Sequence, residues 1–152
     1  MGEIDMNYVV QDVTQFQLQK EFIDTAIVPL VRLNFSETGM KQSSSEANYL
    51  MSLTSFIEQQ FRGRVMLIPP ISYTEKINSA ELAHQLHNEL LEGGFKTVFF
   101  VTTDFEWTKV NDIHVIWLPA IPLESMDSVM KTRILQDQLQ QIIPKLTAAW
   151  TS

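Results

Sequence analysis

The chain has 152 residues and a formal net charge of −7, with 11 Lys and Arg against 18 Asp and Glu. A nucleic-acid or anionic-membrane partner calls for an excess of Lys and Arg that replaces phosphate counterions, and no basic run supplies it. There is no cysteine, so disulfides, thiolate catalysis and Cys-ligated zinc or iron–sulfur centres are excluded.

Taken in chain order, residues 1–5 are acidic and no apolar run follows them, so no secretory signal is expected and the cytoplasm is the default compartment. Asp12 is a good N-cap for a first helix over 12–23, in which Val13, Phe16, Lys20 and Ile23 share a face. Residues 26–35 are rich in β-branched and apolar types and predict a first strand. Pro29 donates no ladder hydrogen bond, so the strand is bulged there or begins at Leu30.

Residues 36–45 form a polar stretch that predicts a surface loop. Ser43 and Glu46 then have the spacing of a capping box. Leu50, Leu53, Ile57 and Phe61 follow at helical intervals, and Gly63 closes the helix. Residues 64–68 read as a short buried strand stopped by Pro69 and Pro70. Asn78 with Glu81 predicts the cap of a third helix, with Leu82, Ala83, Leu86 and Leu90 inward and Gly93 and Gly94 at its exit. Strands follow at 97–102 and 113–118. The last helix spans about 125–150, with Val129, Ile134, Leu139, Ile142 and Leu146 inward, and Pro144 should kink or end it.

The order α-β-α-β-α-β-β-α, with strands that are continuous apolar runs, indicates a sheet covered by helices on both faces. The expected fold is a single α/β domain over residues 1–152. It is a three-layer αβα sandwich, Rossmann-like or flavodoxin-like, with about four mostly parallel strands. The short link before residues 113–118 leaves that strand's direction open between a parallel position and an antiparallel hairpin, with its apolar run favouring parallel. The longest apolar run is far below the roughly 20 residues of a membrane helix, so no membrane span is expected.

In open parallel sheets, ligands bind beyond the carboxyl ends of the strands. That rule nominates Arg32, Ser72, Tyr73 and Thr74, then Thr102, Thr103 and Asp104 with Glu106, and the turn at 119–122. Asp104 or Glu106 there can serve as a general base or a metal ligand. Asp104 can equally cap its turn by accepting backbone N–H bonds. Trp107 and Trp117 flank the region, either stacking on a planar ligand or filling the core.

His84 and His87 stand three apart on the third helix, without the zinc-peptidase pattern or an evident third ligand, and His114 lies in the last strand. No metal or cofactor is therefore expected. Gly39 precedes a helix where a phosphate loop would sit, but the glycine pattern of such loops is absent. Asp24 and Thr25 should tie the first helix to the first strand through side-chain-to-backbone hydrogen bonds.

Residues 20–30, 69–74, 94–100 and 117–123 together resemble the YpiF-like group of small uncharacterised proteins from Bacillus-type bacteria. The resemblance spans most of the chain. It implies a bacterial cytosolic protein and carries over no activity, cofactor or catalytic residue.

With no catalytic constellation, the sequence favours a non-enzymatic binding or regulatory module for an unknown protein or small-molecule partner. The alternative is a small-molecule enzyme with an acid/base carboxylate at the strand ends. A homodimer through the last helix and Trp150 is a third possibility.

Overall fold

The fold is given by a computed structural model that describes residues 6–18 and 21–152. Its elements, in order, are α1 (Val10–Leu18), β1 (Thr25–Arg32), α2 (Met40–Gln60), β2 (Val65–Leu67), β3 (Ile71–Tyr73), α3 (Ser79–Glu92), β4 (Thr97–Thr102), β5 (His114–Trp117) and α4 (Ser128–Thr151). Short 3₁₀ helices sit at Phe105–Lys109 and Leu123–Ser125. The five strands make one sheet in which every pairing is parallel.

β1 is central, with β2 and β3 end to end on one side and β4 then β5 on the other. Alternate residues of the buried strands feed two cores, as the two-residue period of a strand requires. Ile27, Val31, Phe99 and Val101 pack with α2 and α4. Ala26, Val28, Leu30, Val98 and Phe100 pack with α1 and α3. The result is helix, sheet and helix in three layers. Among the described residues, no helix is long and apolar enough to cross a membrane.

The strand at 113–118 lies parallel to β4, with Phe100 opposite Val115 and Thr102 opposite Trp117. A compact 3₁₀ turn carries the crossing in place of a full helix, which is how a short link accommodates a parallel return. The expected fourth strand position is present, and a fifth strand, β3, extends the edge. Residues 71–73, to which the sequence assigned no element, pair with the end of β1.

Pro29 lies inside β1, and the strand runs straight through it. The Ile27 carbonyl accepts from Ile68 N–H at 2.9 Å, so the odd-numbered backbone groups of β1 face the β2–β3 edge. Pro29 therefore lacks its donor on the side where Pro69 and Pro70 interrupt the partner strand. Three prolines coincide at one gap, and none of the regular ladder elsewhere is disturbed.

Several element boundaries differ from expectation. The first helix is Val10–Leu18, so Asp12 sits inside its first turn and accepts from the Asn7 N–H at 3.0 Å, acting on the chain that enters the helix. Ile23 is buried outside the helix, and Lys20 lies outside the described residues. α2 starts at Met40, so the loop ends earlier and Ser43 is no cap. Its hydroxyl instead receives the Asn34 N–H at 3.3 Å, tying the β1 exit to the helix.

Asn78 does cap α3, accepting from Glu81 N–H at 3.1 Å. Val129 is 71% exposed and faces away from the core, nearly three turns before Leu139, the first buried residue of α4. α4 runs through Pro144 to Thr151. The carbonyl four residues earlier, on Gln140, is on the exposed side, where water can take the bond that proline forgoes.

Candidate functional site

The carboxyl ends of β1, β3, β4 and β5 lie along one edge of the sheet, and the side chains there separate into two groups. The first is a closed hydrogen-bond network. Tyr73, from β3, donates its hydroxyl to Asp104 Oδ2 at 2.6 Å and accepts from Trp107 Nε1 at 2.6 Å. The two rings meet edge to face at 5.3 Å. Asp104 Oδ1 accepts from the Glu106 N–H at 3.1 Å, which caps the 3₁₀ turn. Thr102 Oγ1 takes the Asp104 N–H at 3.0 Å and donates to the Leu30 carbonyl.

The aromatic side of this network is buried, and Asp104 is half-buried at its rim. Trp107 is 0% exposed and Tyr73 is 5% exposed. Burial, with the Asp104 hydrogen bond second, holds the Tyr73 phenol well above its ordinary range, so it stays a neutral donor. Each Asp104 oxygen already has an internal partner. Glu106 points outward and pairs with Lys109 at 3.0 Å. Trp117 donates from Nε1 to the Thr103 carbonyl at 3.1 Å and packs against Phe105.

The second group opens to solvent. At the ends of β1 and β3, a groove of about 260 Å³ is lined by Arg32, Leu33, Asn34, Phe35, Thr74, Glu75 and Lys76. Arg32 Nη2 meets Glu75 at 3.3 Å, and both side chains are substantially exposed. Such a pair is weak and exchangeable. Lys76 has no hydrogen-bond or ion-pair partner among the described residues.

The structure thus brings Tyr73, Thr102, Asp104 and Trp107 together, places Arg32 and Thr74 in a separate groove, and leaves Glu106 on the rim. Asn34 and Lys76 were not among the sequence candidates. Their signal was position alone, each within three residues of a strand end.

The phosphate-loop position before α2 is filled by the chain itself. Asn34 Oδ1 receives the Ser36 N–H at 3.0 Å, and Ser36 Oγ receives the Gly39 N–H at 3.0 Å. A Cβ at Gly39 would overlap the Asn34 carboxamide. Glycine is needed there for space, since its φ of −101° is ordinary.

His84 Nε2 is bound to the Asn111 carbonyl at 2.8 Å, and His114 lies against the Phe99 ring at 5.2 Å. Burial and the nearby His114 hold His87 below its ordinary range. No group of three or more His, Cys, Asp or Glu among the described residues is placed to hold a metal.

At the opposite edge of the sheet, Thr25 donates to Asp24 Oδ1 at 2.8 Å, and Arg64 reaches the same oxygen at 3.3 Å. Trp150 donates to Thr25 Oγ1 at 2.7 Å and lies under Arg64 at 4.0 Å. In place of the expected side-chain-to-backbone tie to the first helix, Asp24 and Thr25 fasten the end of α4 and the start of β2 to β1 through side chains, and Trp150 is engaged within its own chain.

Compared with known proteins, the chain is 26% identical over 149 residues to a protein of Bacillus subtilis (strain 168) called "Uncharacterized protein YpiF", covering 97% of this chain and 99% of that one. No solved structure matches it. A family model described as "Protein of unknown function (DUF2487)" matches residues 14–150, and the chain belongs to that family.

Proposed function

We propose that this protein is a non-enzymatic binding module that takes a small anionic ligand, a carboxylate or phosphate compound, in the groove at the carboxyl ends of β1 and β3. The observation that carries this reading is the pairing of Arg32 and Lys76 in one polar concavity on a chain of net charge −7. A ligand anion replaces exposed Glu75 as the partner of Arg32, at a cost on the order of 1 kcal/mol or less for the lost surface pair. Arg32 supplies a planar fork for two oxygens and Lys76 a point charge. Asn34 and Thr74 add neutral hydrogen-bonding groups.

The enzyme alternative ranks second because both Asp104 oxygens are held by Tyr73 and the Glu106 amide. Those two bonds give Asp104 a structural role, joining β3 to the β4–β5 connection and capping the 3₁₀ turn. The strand order, with the crossover from β1 going to one side of it and the crossover from β3 to the other, supports the Rossmann-like reading. The acidic composition and the lack of a membrane-length apolar helix among the described residues support a cytoplasmic protein.

The test is titration of ¹⁵N-labelled protein with inorganic phosphate and with malonate. Saturable amide shifts confined to residues around Arg32, Asn34, Thr74 and Lys76, and lost in Arg32→Gln/Lys76→Gln, are expected. Absence of saturation with both anions would overturn the reading.

A further inference from the structure

On the edge of the sheet, two residues of β1, 28 and 29, face three of the edge strand, 68–70. Ile27 is opposite Leu67, and Leu30 is opposite Ile71. The edge strand therefore carries one extra residue, a β-bulge formed where Pro69 and Pro70 interrupt it. Bulges re-aim side chains and end pairing locally. Here a second pairing ends at the same place. The chain at Asn7 bridges Leu67, with Leu67 N–H on the Met6 carbonyl at 3.0 Å, and then turns away through Val9.

The space left between these departures and α2 is a cleft of about 310 Å³. Its walls are Tyr8 and Val9, Met51 of α2, and the three prolines Pro29, Pro69 and Pro70. Tyr8, Val9 and Met51 are large hydrophobic residues left exposed. No charged side chain lines the cleft. Three polar groups lack a hydrogen-bond partner among the described residues, namely the Asn7 carboxamide, the Ser55 hydroxyl and the Ile68 carbonyl. The Ile68 carbonyl is unmatched for a covalent reason, because the β1 residue on that side is Pro29, which has no N–H.

We infer that this cleft is a binding site for a neutral small molecule with an apolar body, a single ring or a branched chain, and one hydrogen-bond donor. The volume lies at the small end of the usual range for ligand pockets, about 300–1,000 Å³. An apolar lining with a few polar groups is the general composition of such sites. The lack of charge disfavours an anion, which would be desolvated without a partner. The unmatched carbonyl only accepts and so chooses a ligand that donates, while the amide and hydroxyl beside it can accept or donate. Proline and tyrosine faces offer rigid surface for a ring, at little cost in side-chain entropy. This site shares no residue with the groove at Arg32, so either can fail without the other.

The experiment is amide-detected titration of the full chain with phenol, toluene and benzoate. Phenol should bind saturably in the region of about 1 mM, shifting Tyr8, Val9, Ser55 and Ile68. Toluene, lacking the donor, should bind about fivefold more weakly, and benzoate should give no saturable shift at these residues. Ser55→Phe should fill the cleft and abolish the phenol shifts. Met51→Arg, at an exposed position, should weaken them and serves if Ser55→Phe does not fold. The inference is overturned if phenol does not saturate, if benzoate matches it, or if a folded filling variant binds phenol unchanged. It is also overturned if these residues shift with protein concentration alone, which would mean that a second copy occupies the cleft.

Discussion

Replacing Tyr73 with Phe removes one oxygen and breaks both bonds that join β3 to the β4–β5 connection. The hydroxyl donates to the Asp104 carboxylate at 2.6 Å, a charge-assisted bond with a net contribution of about 1.5–3 kcal/mol. The same oxygen accepts from Trp107 Nε1, and the indole is 0% exposed, so water cannot replace the lost acceptor. An unsatisfied buried donor costs about 1–3 kcal/mol. The two effects overlap because one oxygen serves both, and the combined loss should be about 2–4 kcal/mol. For a domain of this length, that corresponds to a fall in Tm on the order of 5–15 °C. Asp104→Asn keeps an acceptor for Tyr73 and loses only the charge, so about 1 kcal/mol is expected. Urea denaturation monitored by tryptophan fluorescence reads both variants. If Tyr73→Phe lies within about 0.5 kcal/mol of the parent, the closed network does not exist as described.

Other consequences follow from the same structure. Burial raises the phenols of both Tyr49 and Tyr73 above their ordinary value of 10.0. The folded state then favours their protonated forms, so stability is intact below pH 10 and is lost as pH rises beyond it. Their phenolate absorbance should appear together with unfolding; separate ionisation in a still-folded protein would refute the burial.

His87 is lowered by burial and by His114 from 6.5, so the folded state resists its protonation. Its contribution is unchanged above pH 6.5 and becomes destabilising as pH falls below that. His87→Gln should flatten the acid limb of a stability-against-pH curve, and an unaltered slope would count against it. Trp150→Ala removes the Thr25 bond, the Phe61 edge contact and the Arg64 stacking, for a loss of about 2–3 kcal/mol. Trp150→Phe should lose about half of that, and equal losses would mean that the hydrogen bond dominates.

Much of the fold was legible because the strands are buried on both faces. Residues 64–68, 97–102 and 113–118 are apolar runs bounded by prolines or polar turns, and that pattern has few other readings. Asn78 was legible as a cap because its side chain acts locally. The Ser43 capping box was not what it seemed to be in the sequence, because Asn34, nine residues away, competes for the same hydroxyl. β3 was missed because three residues, one of them a serine, carry too little pattern to signal a strand. Its pairing depends on β1, which lies forty residues away in the chain.

The strand-end region was legible as a location but not as a geometry. Thr102 and Asp104 follow a buried strand, and that places them. That Tyr73 takes one oxygen of Asp104 while the Glu106 amide takes the other is a long-range fact. The cleft at the bulge had a readable sign in Pro29, Pro69 and Pro70. Their coincidence becomes visible only once the register between β1 and the edge strand is known.

The central claim is that the ends of β1, β3, β4 and β5 lie side by side in one parallel sheet. Scalar couplings across hydrogen bonds test it directly, since each reports one donor and one acceptor. Coupling should be seen from the Leu33 amide to the Tyr73 carbonyl and from the Leu118 amide to the Thr102 carbonyl. A Leu118 amide coupled to a different residue of β4, as an antiparallel register requires, would contradict the account.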